Sequence, residues 1–312
     1  MADPMDDSTA LQRAIAERAR EFAADNRRRR PPRYWQFAIS LVAALLVVAL
    51  VSFAVFGPMF AGHDPNLSDF SAGRDSTGGL LGPSSQHLLG VDPLLRDSFS
   101  RLAYGARVSL LVAFFATTIS IVVGAAVGLT SGYAEGTRAA SVDTFLMRMV
   151  DVGLSFPYLL LVMAIGAAVG DTTIVTILMV LGFTSWFGTA RIIRAKTIQV
   201  RHLDFIMASR ALGQSTASIL LRHILPNVAG PLIVIASASV AQMIIAESVL
   251  SYLQVGLPPP TATWGRMLLE GQRFYTVAPR LVLAPGILIF LAVLGFNLVG
   301  EGLRDALDPH ED

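Results

Sequence analysis

D-F-I-M-A-S-R-A-L-G-Q-S-T-A-S-I-L-L-R-H-I-L-P-N, residues Asp204 to Asn227, lies between two strongly apolar segments. A polar stretch in that setting reads as a loop held at a membrane surface, but its residues do not describe a simple loop. Phe205 to Leu212 carries good helix formers, among them Ala208, Arg210, Ala211 and Leu212. Gly213 then interrupts, and glycine supplies the positive φ that helix ends use. Ser215 is placed to N-cap a second helix by accepting an otherwise orphaned backbone N–H. That helix runs through Ile219, Leu220 and His223 and is expected to stop before Pro226, which disfavours the α conformation at Leu225. The pattern is helix, glycine turn, helix, proline stop. A plainer alternative is an amphipathic helix pair lying on lipid through Ile219, Leu220, His223 and Ile224.

Composition sets the frame around this stretch. Of 312 residues, 53% are hydrophobic and only 15% charged, and the mean hydropathy is +0.58. Soluble domains carry about 25% charged residues, and a spanning helix needs roughly 20 apolar residues. Apolar runs of that length recur, so the expected fold is all-α and polytopic, with six transmembrane helices. A net charge of +1 gives no basis for a nucleic-acid partner. There is no cysteine, hence no disulfide framework, thiol nucleophile or cysteine metal site. The one lysine, Lys196, sits in A-K-T without the preceding glycine of a phosphate-binding loop, so ATP is not expected to bind here by that motif.

Outward from the opening stretch, the chain divides as follows. Residues 1–36 form a polar tail in which Leu11, Ile15 and Phe22 recur at helical spacing. Arg27 to Arg30 and Arg33 precede the first span, residues 37–62, and mark its cytoplasmic end. An external segment follows at 63–104, then a five-helix core at 105–303 that includes the cytoplasmic loop 195–228. The tail 304–312 returns to the cytoplasm. Arg191, Arg194, Lys196 and Arg201 agree with that sidedness, since positive charge collects inside.

Within the core, Gly124 and Gly128 have the spacing that lets helices approach closely. Thr144 to Val169 reads as one span that Pro157, after Phe156, frees to kink, and Phe156 and Pro157 are candidates there for a gate or pathway. Arg148 and Asp151, three apart on its face, are expected to pair and lock neighbouring helices. Glu247, near the outer end of the fifth span, is a candidate for an outer gate or a pathway. Pairing with an arginine of the outer loop is the preferred alternative. His63 and His87, with aspartates nearby, read as solvated loop residues, so no metal site is expected.

Several of these stretches resemble one family, the dipeptide and oligopeptide ABC importer permeases. A-S-R-A-L-G at Ala208 to Gly213 and R-H-I-L-P-N at Arg222 to Asn227 resemble its EAA-type cytoplasmic loop. H-L-L-G-V-D from His87, R-D at Arg96 and Asp97, M-R-M-V-D-V-G-L-S-F-P-Y-L-L, A-E-S-V-L-S-Y-L-Q-V-G and the closing G-L-R-D-A-L-D-P are similar to the family's text in the same order. Two departures stand out. Met207-Ala208-Ser209 replaces the family's Glu-Ala-Ala, and Leu95 replaces the glycine before Arg96.

The resemblance implies a type I ABC importer permease fold and a non-catalytic membrane subunit. Ala208, Ser209, Arg210, Ala211, Leu212, Gly213, His223, Ile224, Leu225, Pro226 and Asn227 would then engage ATPase subunits, which would hold ATP and Mg; no cofactor is expected in this chain. The other implied partners are a second homologous permease, an external peptide-binding protein and the lipid bilayer. The implied location is the cell (inner) membrane, with both termini cytoplasmic. Di- or oligopeptides are the implied solutes, with nickel, glutathione or another solute as the alternative. An ion-coupled carrier would want buried carboxylates or broken helices at mid-membrane, and an intramembrane enzyme would need a nucleophile–base or metal constellation. The spans are nearly free of charge and place no histidine centrally, which argues against both.

Overall fold

Asp97 starts one of the two longest helices. Its carboxylate accepts the Ser100 N–H at 2.7 Å, satisfying a donor that the first helical turn leaves orphaned. The computed structural model describes residues 17–18, 33–71, 73–74, 76, 78–170 and 173–307. Its elements are α1 (Arg33–Phe60), α2 (Ser98–Ala134), α3 (Ala140–Ser155), α4 (Tyr158–Val169), α5 (Ile174–Val200), α6 (Asp204–Ala211), α7 (Thr216–Ile219), α8 (Leu225–Tyr252), α9 (Trp264–Gly271) and α10 (Arg280–Leu307). Among the described residues there is no strand. Isolated bridges, such as Ser68 with Arg96 and Val91 with Asp97, fold the segment between α1 and α2. The N-terminal helix expected around Leu11, Ile15 and Phe22, the arginines 27–30 and the last five residues lie outside the described residues.

Among the described residues, five helical stretches are long and apolar enough to cross a membrane: Phe37–Phe60, Ser98–Ala134, Ile174–Val200, Thr216–Tyr252 and Arg280–Leu307. A sixth is available only if α3 and α4 count as one, and here the structure corrects the sequence. The expected single span 144–169 is broken, and its halves meet at 94°. Phe156 takes an extended ψ of 137° and Pro157 a ψ of 122°, so the chain leaves the helix at the proline rather than kinking within it. At about 1.5 Å per residue, the 16 residues of α3 and 12 of α4 are each too short for a hydrocarbon layer of about 30 Å.

Other helices run past their apolar cores. α2 begins ten residues before the expected Val108, because Asp97 caps it and its polar first turns bury against the segment between α1 and α2. α5 continues from the apolar run into its basic end at Val200. The proline stop at Pro226 is also corrected: helix runs from Thr216 to Tyr252 straight through it. Residues 220–224 form a wide π turn, closed by the Leu225 N–H on the Leu220 carbonyl. That register shift comes just before the pyrrolidine ring, which would clash with an ordinary i−4 carbonyl.

Packing centres on α2 against α5. Adding a Cβ at Gly124, Gly128 or Gly132 would bring it within 2.7 Å of Thr189 Cβ, 2.6 Å of the Ala190 carbonyl and 2.7 Å of the Arg194 carbonyl. The glycine spacing is therefore a contact seam. The main core joins α1, α2, α5, α8, α9 and α10 through Leu50, Leu110, Leu181, Ile244, Trp264 and Ala292. A separate cluster of Leu129, Ile193, Ile206, Ile219, Ile224, Val228 and Leu232 lies under the 204–227 stretch.

Candidate functional site

The 204–227 stretch is built from that second cluster upward. Ile206, Ile219 and Ile224 are fully buried against Ile193 and Val228, so they are anchors, and the reading in which Ile219 and Ile224 rest on lipid does not hold. Above them α6 ends in a paired cap: the Gly213 N–H donates to the Arg210 carbonyl at 2.9 Å and the Gln214 N–H to the Ser209 carbonyl at 3.2 Å. Gly213 has φ +79°, the left-handed conformation this cap requires. Ser215 then accepts the Ser218 N–H at 3.3 Å and starts α7, as its position in the sequence suggests. His223 Nε2 bonds Gln214 Oε1 at 3.0 Å, tying the second helix back across the turn. The Asn227 amide donates to the His223 carbonyl at 2.7 Å.

Of the residues singled out from the sequence, Ala208, Arg210, Ala211, Leu212, Gly213, Pro226 and Asn227 form an exposed rim, and Leu212 is 82% exposed. Ser209 and Ile224 are buried, and His223 and Leu225 are half-buried. Ser209 turns its hydroxyl to the Phe205 carbonyl, so its place is internal. The acidic residue missing at Met207 leaves an apolar side chain that is half exposed on the same rim. Arg210 lies over the Tyr133 ring at 4.6 Å and bonds its hydroxyl at 3.2 Å. Arg201 bonds the carbonyls of Gly132 and Tyr133 at 3.1 Å and the Glu135 carboxylate at 2.6 Å. Arg210 fastens the stretch, and Arg201 the end of α5 just before it, to the C-terminal end of α2.

The expected pair of Arg148 with Asp151 is not the one formed. Asp151 pairs with Arg191 of α5 at 2.5 Å, in an exposed position, because the face of α3 that carries it packs towards α5. The contact that locks helices lies elsewhere. Arg194 makes a two-pronged bond to Asp143, at 2.6 and 2.7 Å, and the Ser131 hydroxyl donates to the same carboxylate. Helices α2, α3 and α5 meet there. Its signal in the sequence was an acidic residue in the first turn of an apolar helix, opposite a basic cluster.

Phe156 is exposed at the break between α3 and α4, and Pro157 starts α4. Glu247 is wholly buried, and its partners are hydroxyls, not an outer arginine: Ser109 at 2.9 Å and Ser251 at 2.7 Å. The arginines at this end of the bundle have another acid. Glu270 takes Arg96 at 2.6 Å, Arg101 at 3.0 Å and Arg266 at 3.2 Å, while Asp92 bonds Arg96. Trp264 is completely buried and is a core residue, with its indole N–H on the Leu102 carbonyl. Leu95, where a glycine was expected, holds φ +61° and is buried.

The segment between α1 and α2 also corrects the reading of its histidines. His87 is 1% exposed, not solvated, and with His63 and Asp97 it brings three potential ligand atoms within 4.8 Å of one another. The folding back of residues 63–97, which sequence spacing does not reveal, places them together.

Residues 124–311 match the family described as binding-protein-dependent transport system inner membrane component. The dipeptide transport system permease protein of Alkalihalophilus pseudofirmus is 36% identical over 271 residues, 87% of this chain and 86% of its own. The glutathione transport system permease protein of Escherichia coli is 38% identical over 272 residues, with 87% and 86% covered. The oligopeptide transport system permease protein of Bacillus subtilis is 34% identical over 275 residues, with 87% and 85% covered. Among solved structures, an inward-facing MetNI methionine ABC transporter matches with a TM-score of 0.54 at 17% identity, covering 66% of this chain and 96% of that one. With the helical architecture, the family match and these full-length similarities, the chain belongs to the binding-protein-dependent transport system inner membrane components, as a multi-pass transport permease.

Proposed function

We propose that this chain is a transmembrane permease subunit of an ATP-driven, binding-protein-dependent importer whose solutes are di- or oligopeptides. The observation that carries the reading is the 204–227 stretch: an exposed rim on a buried base, continuous through the π turn with the spanning helix α8. A partner that moves this rim moves α8 with it, which is a physical route for biasing a two-state bundle. In this reading the rim lies in the cytoplasm with both termini, ATPase subunits hold ATP and Mg, and the segment between α1 and α2 faces a peptide-binding protein outside. A second homologous permease completes the pathway beside the exposed faces of α3 and α4. Peptides are preferred because two of the relatives above are named for dipeptide and oligopeptide transport. Glutathione, itself a small peptide, is the solute in the name of a third and stands as the alternative.

The absence of native cysteine makes the test clean. Leu212→Cys, in membranes where the chain is made with its native partners, is cross-linked with a short bifunctional thiol–amine reagent, and the product is identified by mass spectrometry. The expected product is a subunit carrying a nucleotide-binding loop. Cross-links that contain no such subunit, from complexes that remain assembled, overturn the coupling role. Uptake of labelled dipeptide, challenged with excess glutathione or longer peptide, then selects the solute.

A further inference from the structure

The geometry points to a divalent metal site in the outer segment, centred on His87 Nε2, with His63 and Asp69 as further ligands and Asp97 as the residue that orients His87. The ion class is a borderline transition metal such as zinc, because two imidazoles with a carboxylate suit Zn²⁺ and its neighbours better than Mg²⁺ or Ca²⁺.

His87 is fixed before any ion arrives. Its backbone N–H donates to Ser84 Oγ at 3.0 Å, and its carbonyl accepts the N–H groups of Ser84 and Gly90 at 2.8 and 2.9 Å. Its Nδ1 lies 2.9 Å from Asp97 Oδ2. Asp97 is itself immobilised, since its other oxygen caps α2 through the Ser100 N–H. A carboxylate on Nδ1 holds the proton there and turns the Nε2 lone pair outward, which is the arrangement that metal-bound histidines use. Nε2 is buried and has no hydrogen-bond partner among the described residues. An unsatisfied buried acceptor of this kind is destabilising unless something binds it.

The groups around Nε2 have ligand chemistry. Asp69 Oδ2 is 3.9 Å from it. The His63 ring stacks on His87 with centroids 4.5 Å apart and planes 26° apart, and a ligand nitrogen of His63 lies within 4.8 Å of both His87 and Asp97. Zinc with ligands at about 2.0–2.2 Å would bring these atoms closer by about 1 Å. His63 supplies most of that movement, because it alone of the three clustered residues is not buried and its ring can swing out of the stack. The ion would join the end of α1, three residues before His63, to the cap of α2, and so fix the outer segment against the bundle.

The test uses the full chain in detergent with a tag that contains no histidine. The protein is stripped with chelator, equilibrated with Zn²⁺ and assayed by elemental mass spectrometry and by competition with a chromophoric chelator. The expected result is one zinc per chain, weakened at least about tenfold in His63→Ala and in Asp97→Asn. Asparagine still caps a helix, so Asp97→Asn separates orientation of His87 from folding of α2. His202→Ala and His223→Ala are expected to bind as the wild type does. Failure of the wild type to retain stoichiometric zinc overturns the site, and so does equal affinity in wild type, His63→Ala and Asp97→Asn.

Discussion

Gly213 is a position where backbone conformation alone decides what can stand. A Cβ there would meet nothing within 4 Å, so space is not the constraint. Its φ is +79°, whereas proline is fixed at about −65°. Gly213→Pro also removes the N–H that reaches the Arg210 carbonyl. The variant is expected to insert and fold its spans, whose cores are distant, yet to lose ATP-dependent uptake at matched membrane levels. Gly213→Ala, penalised by only about 1 kcal/mol in this conformation, keeps partial uptake. Glu247 gives a second contrast. Glutamine retains an acceptor oxygen for Ser109 or Ser251, whereas alanine leaves both buried hydroxyls without it. Glu247→Ala is expected to destabilise by about 1–3 kcal/mol and Glu247→Gln by less, read as the order of thermal unfolding in detergent.

At the scale of elements, the glycine seam makes the sharper claim. Gly128→Ala places a methyl 2.6 Å from the Ala190 carbonyl, and backbone in the middle of α5 cannot step aside. Overpacking of this kind is destabilising by about 1–3 kcal/mol. Gly188, on α5, has nothing within 4 Å of an added Cβ, so Gly188→Ala is expected to be neutral or to stabilise slightly by favouring helix. Equal thermal stability of the two variants would remove the seam from the account. The seam was legible in the sequence because its spacing is local, as were the spans, the glycine turn and the Ser215 cap. The 94° break at Pro157 was legible only as a kink, since proline frees a carbonyl without saying which way the chain then goes. The run through Pro226 was not legible at all: it depends on a π turn, and nothing in L-L-R-H-I distinguishes that register from an α-helix. The partners of Asp151 and Glu247 were missed for a related reason. Spacing on one helix names possible neighbours, while the actual partner comes from another helix, at Arg191 in one case and Ser109 in the other.

Across the whole molecule, the two ends of the bundle are closed by charge in different ways. At one end Arg194, Asp143 and Ser131 bind three helices, and Arg201 clamps the turn after α2. At the other, Glu270 of α9 meets Arg96 of the segment between α1 and α2, 174 residues away in sequence, and Arg101 of α2. Arg96 and Arg101 are almost fully buried, with side-chain exposures of 4% and 1%. Burying charges is unfavourable unless they are paired, so removing one partner leaves the others uncompensated. With Glu270 neutralised, Asp92 would be the one carboxylate shared by the two buried guanidiniums among the described residues. Glu270→Gln is therefore expected to destabilise by about 3–5 kcal/mol and to loosen the segment between α1 and α2 first, seen as protease cleavage there before the bundle opens. Asp151→Asn breaks an ion pair of similar length whose two side chains are more than half exposed, and the expected change is about 0–1 kcal/mol. If the two substitutions shift unfolding equally, burial does not set the strength of these pairs, and the Glu270 cluster is not what holds the segment to the bundle.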